Sequence, residues 1–421
     1  MPADTVGSRL QLFALVGANA VSLLGNTVAA VAIPWFVLVT TGSAARTGVA
    51  AFFTTAPLAV GALFGGTVAD RVGARTTSVV SDLASAGAIA GIPLLHVLGA
   101  LEFWHLLALG FLGALFDAPG QAAREALLPE LAARTEISIE RANALWTTTE
   151  HGGYVAGAPI AGLTIALAGA PAALWLDAVS FVVSASLVAT AVPAVALEPV
   201  DERYLDGLVR GIRFVAGDQV LRTFLLLATV GNFLIAPLAP VFLPVYAREE
   251  LGGAGALGVL IGLYGAGGLI GSIGYGMLAR RVSEQAAFTA IWVAYAPVCF
   301  VLVALPPVGV VGAALFLIGT LAGALAPIEQ RIRQERTPPE LRGRVFAGFI
   351  AAYTAVVPPA VLVAGLVVDA FGLRAALAVF ALGNTALTVA VLLRARRYLG
   401  VRSAAVRPLR ALPRSPSRSS M

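Results

Sequence analysis

Long apolar runs separated by short polar breaks dominate this chain. From Leu10 to Ala69 the only charged residue is Arg46, and from Ala286 to Ile328 there is none. A helix that crosses a hydrocarbon core of roughly 30 Å needs about 20 mostly apolar residues, so each such run predicts one or two spanning helices. The breaks fall near 41–46, 70–75, 97–102, 126–141, 168–171, 196–222, 247–254, 280–285, 305–309, 331–344 and 370–374, which predicts about twelve spans. The first run, from near Leu10 to Val39, is too long for the apolar region of a secretory signal and is expected to be an uncleaved first span.

The pattern also repeats. Gly25-Asn26, Pro34 and Phe36 recur as Gly231-Asn232, Pro240 and Phe242 at a constant offset. Gly48-Val49, Ala56, Gly61, Gly66, Ala69 and Arg71-Val72 recur as Gly258-Val259, Ala266, Gly271, Gly276, Ala279 and Arg281-Val282, and Ala118-Pro119 matches Ala326-Pro327. Such repetition predicts an all-α membrane protein built from two pseudo-symmetric six-helix bundles, residues 1–195 and 223–393. The connecting segment 196–222 starts polar and turns amphipathic, with Leu205, Leu208, Val209, Ile212 and Val215 on one face, and is expected to rest on membrane lipid. Residues 394–421 carry many arginines, Pro and Ser, and no acid, so they are expected to form a disordered basic tail loosely held by anionic lipid.

Composition agrees: 58% of residues are hydrophobic and only 12% charged, against about a quarter charged in soluble domains. All 28 basic residues are arginine. Without a lysine there is no Walker A phosphate site and no Schiff-base nucleophile, so transport by this chain is expected to run on a gradient or downhill. If spans alternate, Arg46, Arg248 and Arg374 fall on one side and the remaining arginines on the other, with Arg124 and Arg141 counted in the 126–141 loop. Short-loop arginines stay cytoplasmic, which places both termini inside. His96, His105, His151 and the lone Cys299 form no zinc spacing, HExxH or GxSxG, so no metal, no cofactor and no enzyme activity are expected. No nucleic-acid site is expected either.

Gly66-x3-Asp70-Arg71-x-Gly73-x-Arg75 resembles the loop signature of the major facilitator superfamily, placed between spans two and three as that family requires. The stretches 116–131, 141–145, 176–181, 339–348 and 371–377 resemble its branch of macrolide and siderophore exporters. The resemblance covers the whole chain. It implies a prokaryotic plasma-membrane transporter, expected as a monomer, that works by alternating access and exports an amphipathic small molecule in exchange for protons. An importer or a uniporter is the alternative, and a non-transporting scaffold or receptor a more distant one. It also implies that Asp70 sits against the start of span eleven, near Gly343 to Phe346, and locks the outward-facing conformation through charge and helix dipole, with Arg342 and Arg344 counted in the same gate. Ala74 stands where the family loop usually has a basic residue, which bears on its usual partner, an acid in span four. Two departures touch coupling: Asn26 stands where the branch tends to carry an acid, and an amide cannot carry a proton; and the stretch 107–115 follows only His105, where family antiporters often keep an arginine.

Ionisable groups inside the membrane are functional candidates, because a charge there costs about 2.5–3.5 kcal/mol even on lenient scales. Glu150 with His151 in span five is expected either to carry a proton or to sit at the wet rim. Glu150 is the best placed of the coupling candidates; Asp82 is either a coupling acid or a partner for the loop arginines, Asp117 is the span-four acid and a further coupling candidate, and Asp177 is expected to pack and hydrogen-bond. Glu329, close to Arg331 and Arg333, is expected in a cytoplasmic ion-pair network. Asn26, Trp35, Tyr154, Asn232, Tyr264 and Tyr353 are candidates to line a substrate cavity. Gly153, Gly157, Pro159 and Gly162 in span five are similar to the glycine–proline signature of family antiporters, and generic close packing explains the glycines equally well.

Overall fold

The structure, a computed structural model, describes residues 3–194, 204–279, 281–338 and 341–398; the side chains of 3–6, 59–70, 150, 151, 154, 204–210, 284, 285 and 394–398 lie outside that description. Every regular element among these residues is helical. Helices α1 (Ala3–Thr41), α2 (Ala44–Val72), α3 (Ala74–Val97), α4 (Phe103–Ala133), α5 (Ile139–Ala168) and α6 (Ala170–Ala191) form the first six spans. After α7 (Tyr204–Gly217), the seventh span is composite: α8 (Gln219–Ile235), a π-helical turn Leu238–Phe242 and α9 (Leu243–Glu249). Next come α10 (Ala254–Leu278), α11 (Glu284–Val303), α12 (Val308–Arg336), a second composite of α13 (Arg342–Ala355) and α14 (Val357–Phe371), and α15 (Leu373–Tyr398). Ten spans among the described residues are long and apolar enough to cross a membrane, and α5 adds the shorter apolar segment Val155–Ala168.

Local chemistry explains where helices stop and where they continue. Single glycines join α5 to α6 and α14 to α15: Gly169 (φ 83) and Gly372 (φ 82) adopt a backbone conformation that side chains with a Cβ avoid. These two sharp hairpins occupy matching places in the two halves. Pro34, Pro57, Pro159 and Pro297 lie inside unbroken helices, whereas Pro237 and Pro240 flank or enter the π-helical turn and Pro358-Pro359 open α14. The expected breaks at 126–141 and 331–344 are shorter than the polarity suggested, because α4 runs on through Ala133 and α12 through Arg336. Ion pairs one turn apart, Arg134–Glu130 at 3.8 Å and Arg331–Glu335 at 2.7 Å, suit these polar ends to helix.

The apolar core shows how the halves meet. At the end far from the termini it is a single cluster that runs across both bundles, from Val37 and Leu38 of α1 through Leu174 of α6 to Tyr246 of α9 and Phe380 of α15. At the termini-bearing end it divides into two clusters. One gathers Leu12, Leu127, Trp146 and Val188 from the first half, the other Leu221, Trp292, Ile328 and Phe349 from the second. The molecule is therefore closed at the far end, with its halves separately packed toward the termini. In α7, Ile212 is exposed, Val215 is buried, and Gly211 lies against Arg344 of α13. The side chains of Leu205, Leu208 and Val209, and all of 195–203 and 399–421, are outside the described residues.

Candidate functional site

Asp117 and Arg124 stand about two turns apart on one face of α4. Arg124 is fully buried; its Nη1 donates to Asp82 Oδ1 of α3 at 2.6 Å, and its Nη2 donates to Ser22 Oγ of α1 at 3.1 Å and lies 3.7 Å from Asp117 Oδ1. Asp82 Oδ2 accepts from Ser184 Oγ of α6 at 2.7 Å, and Asp117 Oδ2 accepts from Asn26 Nδ2 of α1 at 2.8 Å. Gly120 lets α3 and α4 approach closely enough for this, since a Cβ there would meet Ser81 Cβ at 2.8 Å. One guanidinium thus ties α1, α3 and α4 directly and α6 through Asp82. Arg124, counted above with the 126–141 loop, is corrected to the bundle interior, where it pairs with acids and carries no orientation signal. Asp177 of α6 is also buried, with Ser180 Oγ 3.5 Å from Oδ1 and no hydrogen-bond partner at Oδ2 among the described residues. Asn26, Asp117, Gln121 and Asp177 line a cavity of about 240 Å³.

The second half holds a cavity of similar volume, about 240 Å³, with a different wall. Tyr264 of α10, Trp292 and Tyr295 of α11 and Tyr353 of α13 surround it, and Asn232 and Glu329 supply polar groups. Asn232 Nδ2 donates to the Tyr353 carbonyl at 2.5 Å, close to the joint between α13 and α14. Among the described residues Glu329 makes no ion pair within 4 Å, unlike the network expected for it. Arg331 pairs with Glu335, Arg336 lies 3.5 Å from Asp218, and the Arg333 guanidinium sits over the rings of Phe346 and Phe349 at 5.6 and 5.3 Å.

Two crossings hold the far end shut. Gly48 of α2 packs on Gly365 of α14, where a Cβ would meet Val361 O at 2.7 Å; Gly162 of α5 packs on Gly258 of α10, where a Cβ would meet the Gly258 Cα at 2.7 Å. Only hydrogen at these Cα atoms permits such backbone approach. Just beyond, Asp369 of α14 caps α2 of the other half: its Oδ1 accepts from Ala44 N at 2.7 Å and its Oδ2 from Ser43 Oγ at 2.6 Å. At the neighbouring helix end, Arg248 of α9 donates to the Leu38 carbonyl of α1 at 3.1 Å. A carboxylate at a helix N-terminus and a guanidinium at a C-terminus both match the helix dipoles they meet.

The other residues singled out by sequence fall as follows. Gly153 and Gly157 face Leu23 and Thr27 of α1, and Pro159 faces Gly262 of α10, so the glycine–proline stretch packs α5 against both halves. Trp35 is buried in the cross-bundle core, away from both cavities. Gly73 separates α2 from α3, Arg71 is exposed, and Arg75 donates to the Ala189 carbonyl at the end of α6. Arg342 Nε donates to the Thr337 carbonyl at 3.3 Å. Gly66 lies in the part of α2 described by backbone alone, and the side chains of Asp70, Glu150, His151 and Tyr154 are outside the described ones. Asp369, Arg248, Gln121 and the interior place of Arg124 were missed from sequence. Only the last had a local signal, an acid and a base about two turns apart on one helix.

The sequence profile described as Major Facilitator Superfamily matches residues 15–357. The chain is 33% identical over 373 residues to the multidrug efflux pump Tap of Mycolicibacterium fortuitum, covering 87% of this chain and 90% of that one. In structure it resembles the nucleoside transporter NupG, with a TM-score of 0.76 at 10% identity over 91% of this chain and 98% of that one. It also resembles a bacterial homologue of the human lysosomal transporter Spinster in an inward-facing, unoccupied conformation, with a TM-score of 0.73 at 13% identity over 95% of this chain and 99% of that one. At those identities the structural likeness speaks for the fold alone.

Proposed function

This chain belongs to the Major Facilitator Superfamily and is a membrane transporter, and from that premise we propose that it exports amphipathic drug-like molecules in exchange for protons. Similarity to a multidrug efflux pump over most of both chains supports the substrate class and the direction. The one-sided distribution of loop arginines supports cytoplasmic termini in a bacterial plasma membrane, which would make the present form open toward the cytoplasm. Asp70 is proposed to lock the opposite form, as the family loop implies.

The observation that carries proton coupling is the Asp82–Arg124–Asp117–Asn26 cluster at the wall of the first cavity. Arg124 binds Asp82 closely and leaves Asp117 at 3.7 Å, held also by a neutral amide. Asp82 and Asp117 share one buried cation, with Asp177 buried on the same cavity, and an uncompensated buried charge is costly, so neutrality is completed by protons. Asp117 and Asp177 both line the cavity, and of the two only Asp117 shares the arginine, which can turn wholly to Asp82 when Asp117 is neutral. Asp82 is the fixed counter-ion. This reading makes Asp117 the carrier in place of the missing acid at Asn26, with Glu150 and His151 as the rival site.

Proteoliposomes loaded with a fluorescent drug test this. Asp117→Asn should abolish uphill, pH-gradient-driven movement while preserving substrate exchange, because exchange needs alternating access without net proton transfer. Wild-type behaviour of Asp117→Asn with loss in Glu150→Gln would move the carrier to α5. Wild-type flux that ignores the pH gradient would make the chain a uniporter.

A further inference from the structure

We propose that the cavity of the second half is a recognition site for an organic cation, with Glu329 as its specificity-determining residue; this rests on the export reading above for its physiological use. Glu329 sits on the cavity wall, and its carboxylate makes no hydrogen bond and no ion pair within 4 Å among the described residues. Arg333, one turn further along the same helix, acts on this carboxylate through space and makes no ion pair with it within 4 Å: its guanidinium covers two phenylalanine rings, and its Nε donates at 3.3 Å to the backbone carbonyl of Glu329. The carboxylate therefore faces the cavity without a close partner.

Four aromatic residues of the wall share this preference, among aliphatic neighbours. Tyr264, Trp292, Tyr295 and Tyr353 present aromatic rings, whose faces attract cations and stack on flat rings. An anion would meet a carboxylate and negative ring faces, and a neutral molecule would gain only the stacking. A second, independent observation points to a ligand. Trp292 Nε1 is a buried donor on this wall, with the side chain 8% exposed, and it has no acceptor among the described residues. A ligand that completes the site thus carries a protonated or quaternary nitrogen, an aromatic ring and a hydrogen-bond acceptor. Glu329 also borders a smaller cavity of about 180 Å³ lined by Phe224, Arg333 and Phe349, which lies on the termini side of the first. A cation entering from that side passes Arg333 before it reaches Glu329.

The test is equilibrium binding to the purified full chain in lipid nanodiscs. Ethidium serves as a permanent cation, and Nile red as a neutral aromatic probe. Glu329→Gln should weaken ethidium binding about tenfold or more, change Nile red less than about twofold, and Glu329→Asp should recover part of the loss. Trp292→Phe, which keeps the ring and removes the donor, should weaken binding of an acceptor-bearing cation such as rhodamine 6G by a fewfold more than ethidium. In the wild type, tetraphenylphosphonium should displace ethidium and tetraphenylborate should not, a result that needs no variant to fold. Equal losses for both probes in Glu329→Gln, or displacement by the borate as good as by the phosphonium, overturns the proposal. Cation binding that follows these rules in a chain without any efflux would sink the export reading and leave this site standing.

Discussion

The two halves share a scaffold and differ in what lines it. Carried along the repeat, Asp82, Asp117 and Arg124 of the first half correspond to Trp292, Leu325 and Ile332 of the second, while Gln121 corresponds to Glu329. Asn26 and Asn232 keep the same residue type yet bond differently, one to a carboxylate and the other to a main-chain carbonyl. Where the halves meet, by contrast, the symmetry is retained: Gly48 and its mate Gly258 each take a glycine of the opposite half. Backbone approach tolerates no added atom, so the crossing is held in both copies. A cavity wall tolerates many side chains, so one copy became a charged cluster and the other an aromatic chamber.

The largest expected effect breaks the charged cluster. Arg124→Met leaves Asp82 and Asp117 buried without their counter-charge and should cost about 3–5 kcal/mol, whereas Ile332→Val at the matching place should cost about 0.5–1.5 kcal/mol. Thermal unfolding in detergent reads both. Adding Asp82→Asn to Arg124→Met should return more than half of the loss; a single variant as stable as wild type would mean the cluster is solvated and not a paired core.

Next is the shared crossing. Gly48→Val and Gly258→Val each place atoms where backbone already lies, so both should disfavour the closed far end and lower substrate exchange about tenfold or more, as a shift of about 1.4 kcal/mol in a two-state balance does. Spin-label distances across α2 and α14 should lengthen. If one variant is inert, the pseudo-symmetry of the closure is only apparent.

A smaller effect is expected at the cap across the halves. Asp369→Asn keeps an acceptor for Ala44 N and removes the charge at the start of α2, which is worth about 0.3–1 kcal/mol, or a two- to fivefold change in the ratio of conformers. Accessibility of a cysteine placed at the far end to a water-soluble reagent measures it. The smallest effect should come from the tail: truncation after Gly400 should leave flux unchanged, and loss of flux with normal insertion would reveal a functional segment there.

Much of the architecture was legible because it is written in one dimension. Apolar runs long enough for lipid, polar breaks and a repeat at nearly constant offset are properties of the chain that packing does not alter, and they led to a two-bundle, twelve-span fold of the family shown above. The candidate site was legible only in part. Asp82, Asp117 and Asn26 could be singled out as polar groups in apolar runs, but that Arg124 joins them depended on how α1 and α3 pack against α4. Glu329 read as a surface acid because its nearest neighbours in sequence are arginines, and those arginines turn to other partners.

By itself, then, the sequence determined how many times the chain crosses the membrane, which halves are copies, and where charge is scarce, since hydrophobic transfer free energy and helix geometry act residue by residue. Tertiary structure alone decided who is paired with whom. An ion pair or a cap joins residues such as Asp82 and Arg124, or Ala44 and Asp369, that are far apart in the chain, and whether a buried carboxylate is neutralised or left facing a cavity depends on distances of a few ångströms that no spacing along one helix records.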